Sequence, residues 1–181
     1  MLEIVVPASE CYNEATQEFI SVGKDVKLQM EHSLISISKW EAKHHKAFLS
    51  KRAKTKEEMD DYFRCMTINK VSDPSVFSRL TGENIRAIEA YISDSMTATY
   101  MDNDSESQGP KDTVTSELIY YWMVSYRIPS EFQKWHINRL MALIHVCGKK
   151  NSPPKKMSKT ALAQRNAALN AKRRAAMKSR G

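Results

Sequence analysis

Glycine is scarce in this chain: five occur in 181 residues, at positions 23, 82, 109, 148 and 181. None has a second glycine at the spacing of a phosphate-binding loop. The run Gly148-Lys149-Lys150 also lacks the upstream glycine that such a loop requires. We therefore expect no nucleotide-binding loop of this kind.

Cysteine and long apolar runs are scarce as well. Cys11, Cys65 and Cys147 are odd in number and far apart, which is typical of reduced thiols in a cytoplasm and not of a disulfide framework. No apolar run is long enough to span a bilayer, and residues 1–20 have no basic region followed by an apolar one. We expect no signal peptide, no membrane span and no membrane partner.

Patterns that would carry catalysis or bind a metal are weak. His44 and His45 are adjacent, so on a helix they point to different sides and cannot readily bind one ion. The acidic pairs Glu57-Glu58 and Asp60-Asp61 suit the polar face that a surface helix needs in any case. We expect no catalytic residues, no metal and no cofactor, and the chain is predicted not to be an enzyme.

Acidic residues are missing from the last part of the chain, and this absence is informative. Residues 149–181 contain eleven Lys or Arg and no Asp or Glu, whereas residues 1–148 contain 17 Lys or Arg against 21 Asp or Glu, a net charge of −4. The overall net charge of +7 hides this asymmetry. We predict a compact body over residues 1–148 and a basic tail, partly disordered or helical, over 149–181.

Short strands are predicted at the start of the body. Residues 2–6 are rich in β-branched side chains and stop at Pro7, and residues 18–23 and 26–31 form two further strand-like runs. The turn-prone residues 23–25 join the second run to the third. We expect a small antiparallel β-ribbon built from these strands.

Capping signals mark the helices that follow. Ser33 or Ser36 can cap a helix that carries Trp40 on its inner face, and Thr55 with Glu58 has the spacing of a capping box. A further helix is predicted over residues 83–93, a strand over 96–101 and a polar loop over 102–112.

Residues 113–148 read as a helical hairpin around which the other segments pack. Thr115 or Ser116 can cap its first helix, Pro129 ends that helix, and Ser130 can cap the second. The fold class is therefore α+β and mostly α-helical, with a short N-terminal antiparallel β-ribbon, a central helical hairpin and a basic C-terminal helix. The predicted structural core is Trp40, Leu118, Trp122, Trp135, Leu140 and Ile144.

The basic tail is the main candidate for a partner-binding site. Its residues can neutralise phosphates, dock on an acidic amphipathic helix, or form a solvated tail that only aids solubility. The tail cations are Lys149, Lys150, Lys155, Lys156, Lys159, Arg165, Lys172, Arg173, Arg174, Lys178 and Arg180.

Several motifs of the chain carry a resemblance to a known family. They are His32-Ser-Leu-Ile-Ser-Ile-Ser-Lys-Trp-Glu41, Phe48-Leu49, Thr115-Ser-Glu-Leu-Ile-Tyr-Tyr-Trp-Met123, Gln133-Lys-Trp-His-Ile-Asn-Arg-Leu140, and Arg165-Asn-Ala-Ala-Leu-Asn170 through Arg180-Gly181. Together they resemble the tail assembly chaperones of long-tailed bacteriophages (siphophages), which are encoded just upstream of the tape measure protein. The sequence departs from the family pattern at residues 44–47, where relatives tend to carry an aromatic residue and a proline.

The resemblance implies a non-enzymatic virion assembly factor that shields the tape measure protein during tail formation, in the host bacterial cytoplasm. Its partners would be the tape measure protein and the tail tube protein, and we also expect an oligomer. The alternatives are a virion structural component, such as a head–tail connector or a capsid-associated protein, and a DNA-binding protein that uses the basic tail.

Overall fold

The computed structural model describes residues 1–13, 17–22, 24–99, 113–151 and 159–177. The mostly helical α+β fold is confirmed. The chain divides into two compact units, Met1–Gly148 and Lys149–Gly181, which we call the body and the tail. Within the described residues, no helix combines the length and the apolar composition needed to cross a membrane.

Four strands open the chain: β1 (Leu2–Val6), β2 (Ser9–Asn13), β3 (Glu18–Val22) and β4 (Val26–Met30). The helices of the body are α1 (Leu34–His44), α2 (Lys56–Met66), α3 (Gly82–Ser93), α4 (Ser116–Ser125) and α5 (Ile137–Asn151), the last of which runs three residues into the tail. Two 3-10 segments span Pro74–Arg79 and Ser130–Lys134, and α6 (Lys159–Met177) belongs to the tail.

The strand pairing differs from the predicted order. The β4 strand does not pair with β3 across residues 23–25; it pairs antiparallel with β1, with Ile4 opposite Leu28, while β3 pairs with β2, a strand that the sequence analysis missed. This register places Ile4 and Leu28, both buried, on the same row of the β1–β4 ribbon. Pairing two strands whose apolar rows coincide buries both rows at once, which explains why this partner is preferred.

The outer edge of β4 is covered by the segment after α2. The Asn69 side chain accepts the Gln29 N–H at 2.8 Å and donates to the Lys27 carbonyl at 3.0 Å, and the Ile68 N–H donates to the Gln29 carbonyl at 2.8 Å. The Asn69 amide therefore imitates a strand residue. It satisfies backbone groups that would otherwise leave an open sheet edge.

The helix α1 packs against three other elements of the body. It contacts α2, α4 and the 130–134 segment, so the packing centre is α1 rather than the predicted hairpin. Ser33 caps it as predicted, and Leu34, Ile37 and Trp40 are fully buried on its inner face. The largest fully buried side chains of the body are Val6, Leu28, Met30, Leu34, Ile37, Trp40, Tyr62, Met66, Ile88, Ile119, Ile137 and Leu140.

Only half of the predicted core residues are buried. Trp40, Leu140 and Ile144 lie in the core, whereas Leu118, Trp122 and Trp135 are only partly buried. The buried face of α4 is formed instead by Ser116, Ile119 and Met123, and the last two each follow a predicted core residue, Leu118 or Trp122, by one position. A shift of one residue turns a helix by about 100°, so Leu118 and Trp122 lie at the edge of the core.

The second helix of the predicted hairpin begins seven residues late, at Ile137 instead of Ser130. Residues 130–134 form a 3-10 segment, in which positions i and i+3 lie above one another. This geometry stacks Phe132 on Trp135 with ring centroids 4.0 Å apart, and the Arg139 guanidinium lies 4.2 Å from the Trp135 ring centroid.

The predicted strand over 96–101 is also wrong for residues 96–99, where Met96 has a φ of 51°. Residues 100–112, which include the predicted loop, lie outside the described residues.

Glu41 joins three parts of the body. Its carboxylate accepts the Phe48 N–H at 2.8 Å and the Ser116 N–H at 2.7 Å, and the second of these belongs to the first turn of α4. The carboxylate thus satisfies a backbone donor at a helix N-terminus, where negative charge is favoured.

We predict that Glu41→Gln lowers the free energy of unfolding by about 1–3 kcal/mol, because an amide offers one acceptor where the carboxylate offers two and leaves a buried N–H unsatisfied. Denaturant unfolding followed by circular dichroism measures this. Glu89→Gln, the same change at an exposed position of α3, is the matched control and should change stability by less than about 0.5 kcal/mol. Equal effects of the two substitutions would contradict the role assigned to Glu41.

The C-terminus of α4 ends in a Schellman motif. The Ile128 N–H donates to the Met123 carbonyl at 2.8 Å and the Arg127 N–H to the Val124 carbonyl at 3.1 Å, while Arg127 has a φ of 56°. Glycine is the usual residue at this left-handed position because a Cβ is strained there. Arg127 is therefore held in an unfavourable backbone conformation.

We predict that Arg127→Gly raises the free energy of unfolding by about 0.5–1 kcal/mol, since it relieves this strain by more than it loosens the unfolded chain. Arg86→Gly at an exposed position inside α3 should have the opposite sign and destabilise by about 1 kcal/mol. Chemical denaturation of both variants tests the pair, and a loss of stability in Arg127→Gly would refute the assignment.

Candidate functional site

The tail cations that the structure describes are exposed. Lys149 and Lys150 lie at the end of α5, and Lys159, Arg165, Lys172, Arg173 and Arg174 lie on α6. Lys155, Lys156, Lys178 and Arg180 are outside the described residues. The structure therefore describes seven of the eleven tail cations.

The helix α6 has an apolar stripe bordered by cations. Leu162 and Leu169, two turns apart on one side of the helix, are 47% and 41% exposed. At 100° per residue, Arg165 and Lys172 fall on one flank of this stripe and Arg173 on the other. No described residue of α6 is buried. The helix thus presents leucines and positive charges on the same side.

The interior of the body contains a polar cluster that the sequence analysis missed. His32 and His136 are both buried, and their rings meet edge to face with centroids 5.0 Å apart. The Tyr62 hydroxyl is hydrogen-bonded to Nδ1 of His32. Nε2 of His136 donates to the Tyr91 carbonyl at 3.0 Å, and Nδ1 of His136 accepts the Asn138 N–H at 3.3 Å. These contacts fix His136 as the neutral Nε2–H tautomer.

Burial keeps both imidazoles uncharged. It lowers the pKa of His32 to about 3, with a smaller contribution from the neighbouring His136, and burial also lowers the pKa of His136. Burial likewise raises the pKa of Tyr62 well above its usual value, so the hydroxyl keeps its proton. The cluster consists of neutral hydrogen-bonding groups that connect the β4–α1 junction, α2, α3 and the residue before α5.

Two carboxylates of α2 are not on a solvated face as predicted. Glu58 and Asp61 are buried, and Glu58 accepts hydrogen bonds from Arg52 at 2.8 Å and Lys46 at 2.9 Å. The Arg52, Lys46 and Thr55 donors lower the pKa of Glu58 to about 2. Glu58 also completes the predicted capping box with Thr55, so one residue serves as helix cap and ion-pair partner.

Asp61 bonds the side chains of Lys43 and His44, the latter at 2.8 Å. The His44 ring stacks on Trp40, one turn earlier in α1, with ring centroids 4.4 Å apart. His44 therefore packs against its own helix and does not pair with His45. Within the described residues, no cluster of three or more His, Cys, Asp or Glu side chains has a metal-binding arrangement.

A shallow cavity of about 250 Å³ lies beside Cys65 and is also lined by Lys39, Thr67 and Lys134. It is smaller than most ligand pockets. Burial raises the pKa of the Cys65 thiol, which lowers the fraction of reactive thiolate at neutral pH.

Comparison of the chain with protein-family models, with curated proteins and with solved structures finds no significant match.

We predict that the body loses stability as the pH falls from 7 to 5. The unfolded state binds protons on His32 near pH 6.5 whereas the folded state does so only near pH 3, so the unfolded state is favoured progressively below pH 6.5. The free energy of unfolding should fall by up to about 2 kcal/mol between pH 6.5 and pH 5. Urea unfolding at several pH values measures the slope.

The matched variants are His32→Asn and His45→Asn, since His45 is exposed. The first should flatten the slope between pH 6.5 and pH 5, and the second should leave it unchanged. A wild-type slope in His32→Asn would show that another group is responsible.

Proposed function

We propose that this protein is a phage virion assembly factor, a tail assembly chaperone that shields the tape measure protein in the host bacterial cytoplasm until tail tube subunits replace it. The observation that carries the proposal is α6, a cationic helix whose leucines are unburied. The motif resemblance of the body and tail supports the same reading.

The composition of α6 indicates what kind of partner it binds. Its alanines and basic residues favour a helix, but a helix of 19 residues without a buried face gains little stability from packing. A partner that covers Leu162 and Leu169 would supply that packing. Since the flanking residues are Arg165, Lys172 and Arg173, the partner surface should be an apolar stripe bordered by carboxylates.

A long amphipathic helix of a tape measure protein has this chemistry, and it is prone to aggregate while its apolar stripe is unpaired. Contacts made by separate leucines and exposed cations are individually weak. The complex can therefore dissociate when tube subunits compete for the same surface, which a chaperone must permit.

A nucleic-acid partner is the second candidate, because the described residues of the tail include seven cations and no acid. Phosphate binding would use these cations equally well. It would not use the leucines, which lie between the cations and would have to face the polar backbone of a duplex. Their position favours a protein partner.

The test is co-expression with the tape measure protein of the same genome. Wild type should keep that protein soluble and co-purify with it. The variant Lys172→Glu/Arg173→Glu/Arg174→Glu and the variant Leu162→Ser/Leu169→Ser should each weaken capture at least about tenfold, because one reverses the attraction and the other removes the apolar contacts. The matched control, Lys51→Glu/Lys70→Glu/Arg86→Glu, reverses three exposed charges of the body and should retain capture.

Two further measurements separate the alternatives. A DNA-binding protein would shift duplex DNA with an affinity that falls steeply with salt, and it would lose binding in the charge-reversal variant but not in the leucine variant. A connector or capsid-associated protein would be present in purified virions at fixed stoichiometry. The chaperone proposal would be rejected if either result were obtained and the tail variants still captured the tape measure protein as well as wild type.

A further inference from the structure

The helix α4 is apolar on more sides than the core covers. Ile119 and Met123 are buried, yet Tyr121 and Val124 are 66% and 78% exposed. A helix with apolar residues around most of its circumference is normally enclosed on all sides. The described part of the chain encloses only one side of α4.

The exposed residues of α4 form one continuous stripe. Glu117, Tyr121 and Val124 are spaced i, i+4 and i+7, so they lie on the same side of the helix, and we call this stripe the outer face of α4. Glu117 lies at its N-terminal end. Arg127, exposed and just past the C-terminus of the helix, lies at the other end. The face is thus apolar in the middle, with an acid at its N-terminal end and an exposed arginine just beyond its C-terminal end.

We propose that the outer face of α4 binds the same face of a second copy of this chain, with the two α4 helices antiparallel about a two-fold axis. If the axis passes between positions 122 and 123, Tyr121 lies opposite Val124 of the second copy. In the same register Glu117 lies within one residue of Arg127 of the second copy. Each of these contacts occurs twice, as a two-fold interface requires.

The dimensions agree with this register. Glu117 lies about 8 Å along the helix from the axis position, at 1.5 Å per residue. Arg127 lies on the other side of the axis, two residues past the last helical residue. A face with an acid at one end, a base at the other and apolar residues between is complementary to itself when reversed. Charge complementarity therefore favours a second copy over a partner whose charges are all of one sign.

The Arg127 side chain is exposed, and among the described residues no ion-pair partner is seen for it. Its guanidinium is therefore available to pair with Glu117 of a second copy.

Self-association of the full chain, measured by analytical ultracentrifugation after nuclease treatment, tests the proposal. Wild type should form a dimer, and Val124→Glu should raise the dimer dissociation constant at least about tenfold, because it places two like charges at the centre of the interface. Ile68→Glu changes an equally exposed apolar residue on another surface and should leave the dimer intact. A monomeric wild type, or a dimer unaffected by Val124→Glu, overturns the proposal.

A charge exchange tests the register itself. Glu117→Arg and Arg127→Glu should each weaken the dimer several-fold, and the double variant should restore it, since only the antiparallel pairing makes these two positions face each other. Arg127→Gly should weaken the dimer although it is expected to raise the free energy of unfolding. A purely structural role of Arg127 would not change association and stability in opposite directions. Failure of the double variant to restore association would reject this register.

This inference is independent of the proposed chaperone activity. The tail variants Lys172→Glu/Arg173→Glu/Arg174→Glu should remain dimeric, so loss of tape measure capture and loss of the dimer are separate results. If wild type is monomeric and Val124→Glu abolishes tape measure capture, the outer face of α4 belongs to that partner and the dimer proposal is wrong.

Discussion

The two hydrogen bonds accepted by the buried Glu41 carboxylate are the constraint on which the arrangement of the body depends. They connect α1 to the Phe48 amide and to the first turn of α4, across a separation of 75 residues in sequence. A carboxylate can be buried at this position because backbone N–H groups solvate it in place of water. The position of α4, and with it the orientation of its outer face, follows from this contact.

The same helix organises the remaining core through Trp40. Its indole N–H donates to the Glu58 carbonyl at 2.8 Å, its ring stacks on His44, and Phe48 meets it edge to face. Glu58 and Asp61 in turn hold Lys46, Arg52 and Lys43 around the end of α1. An aromatic core residue with a satisfied N–H thus serves as the junction between the apolar core and a surrounding layer of ion pairs.

Local signals in the sequence were sufficient to locate several helix starts. The predicted cap Thr55 acts within three residues of itself, as do Ser33 and Thr115, each of which was one of two caps offered for its helix, and the structure contains all three. Ser130 failed because a long-range contact opposes it: His136 packs against His32 and the Ile137 N–H donates to the His32 carbonyl at 2.7 Å, so α5 begins only at Ile137. A capping signal is reliable only where no long-range contact opposes it.

The contacts that the sequence could not show join residues far apart in the chain. His32, Tyr62, Tyr91 and His136 look unrelated in sequence because their spacings carry no periodicity, and only the packing of four elements brings them together. The same limit applies to strand order. Residues 26–31 alternate as predicted, but their pairing with residues 2–6 depends on matching apolar rows, a property of two segments jointly.

Charge in the body and charge in the tail have different physical consequences. The buried carboxylates Glu41, Glu58 and Asp61 are satisfied within a few ångströms by amides and cations, so they contribute little to the field outside the protein. The cations of α6 are exposed and have no acid in their own helix, so their field extends into the solvent over about a Debye length. Long-range attraction of an acidic partner can therefore come from the tail, while the nearly balanced outer face of α4 acts only at contact.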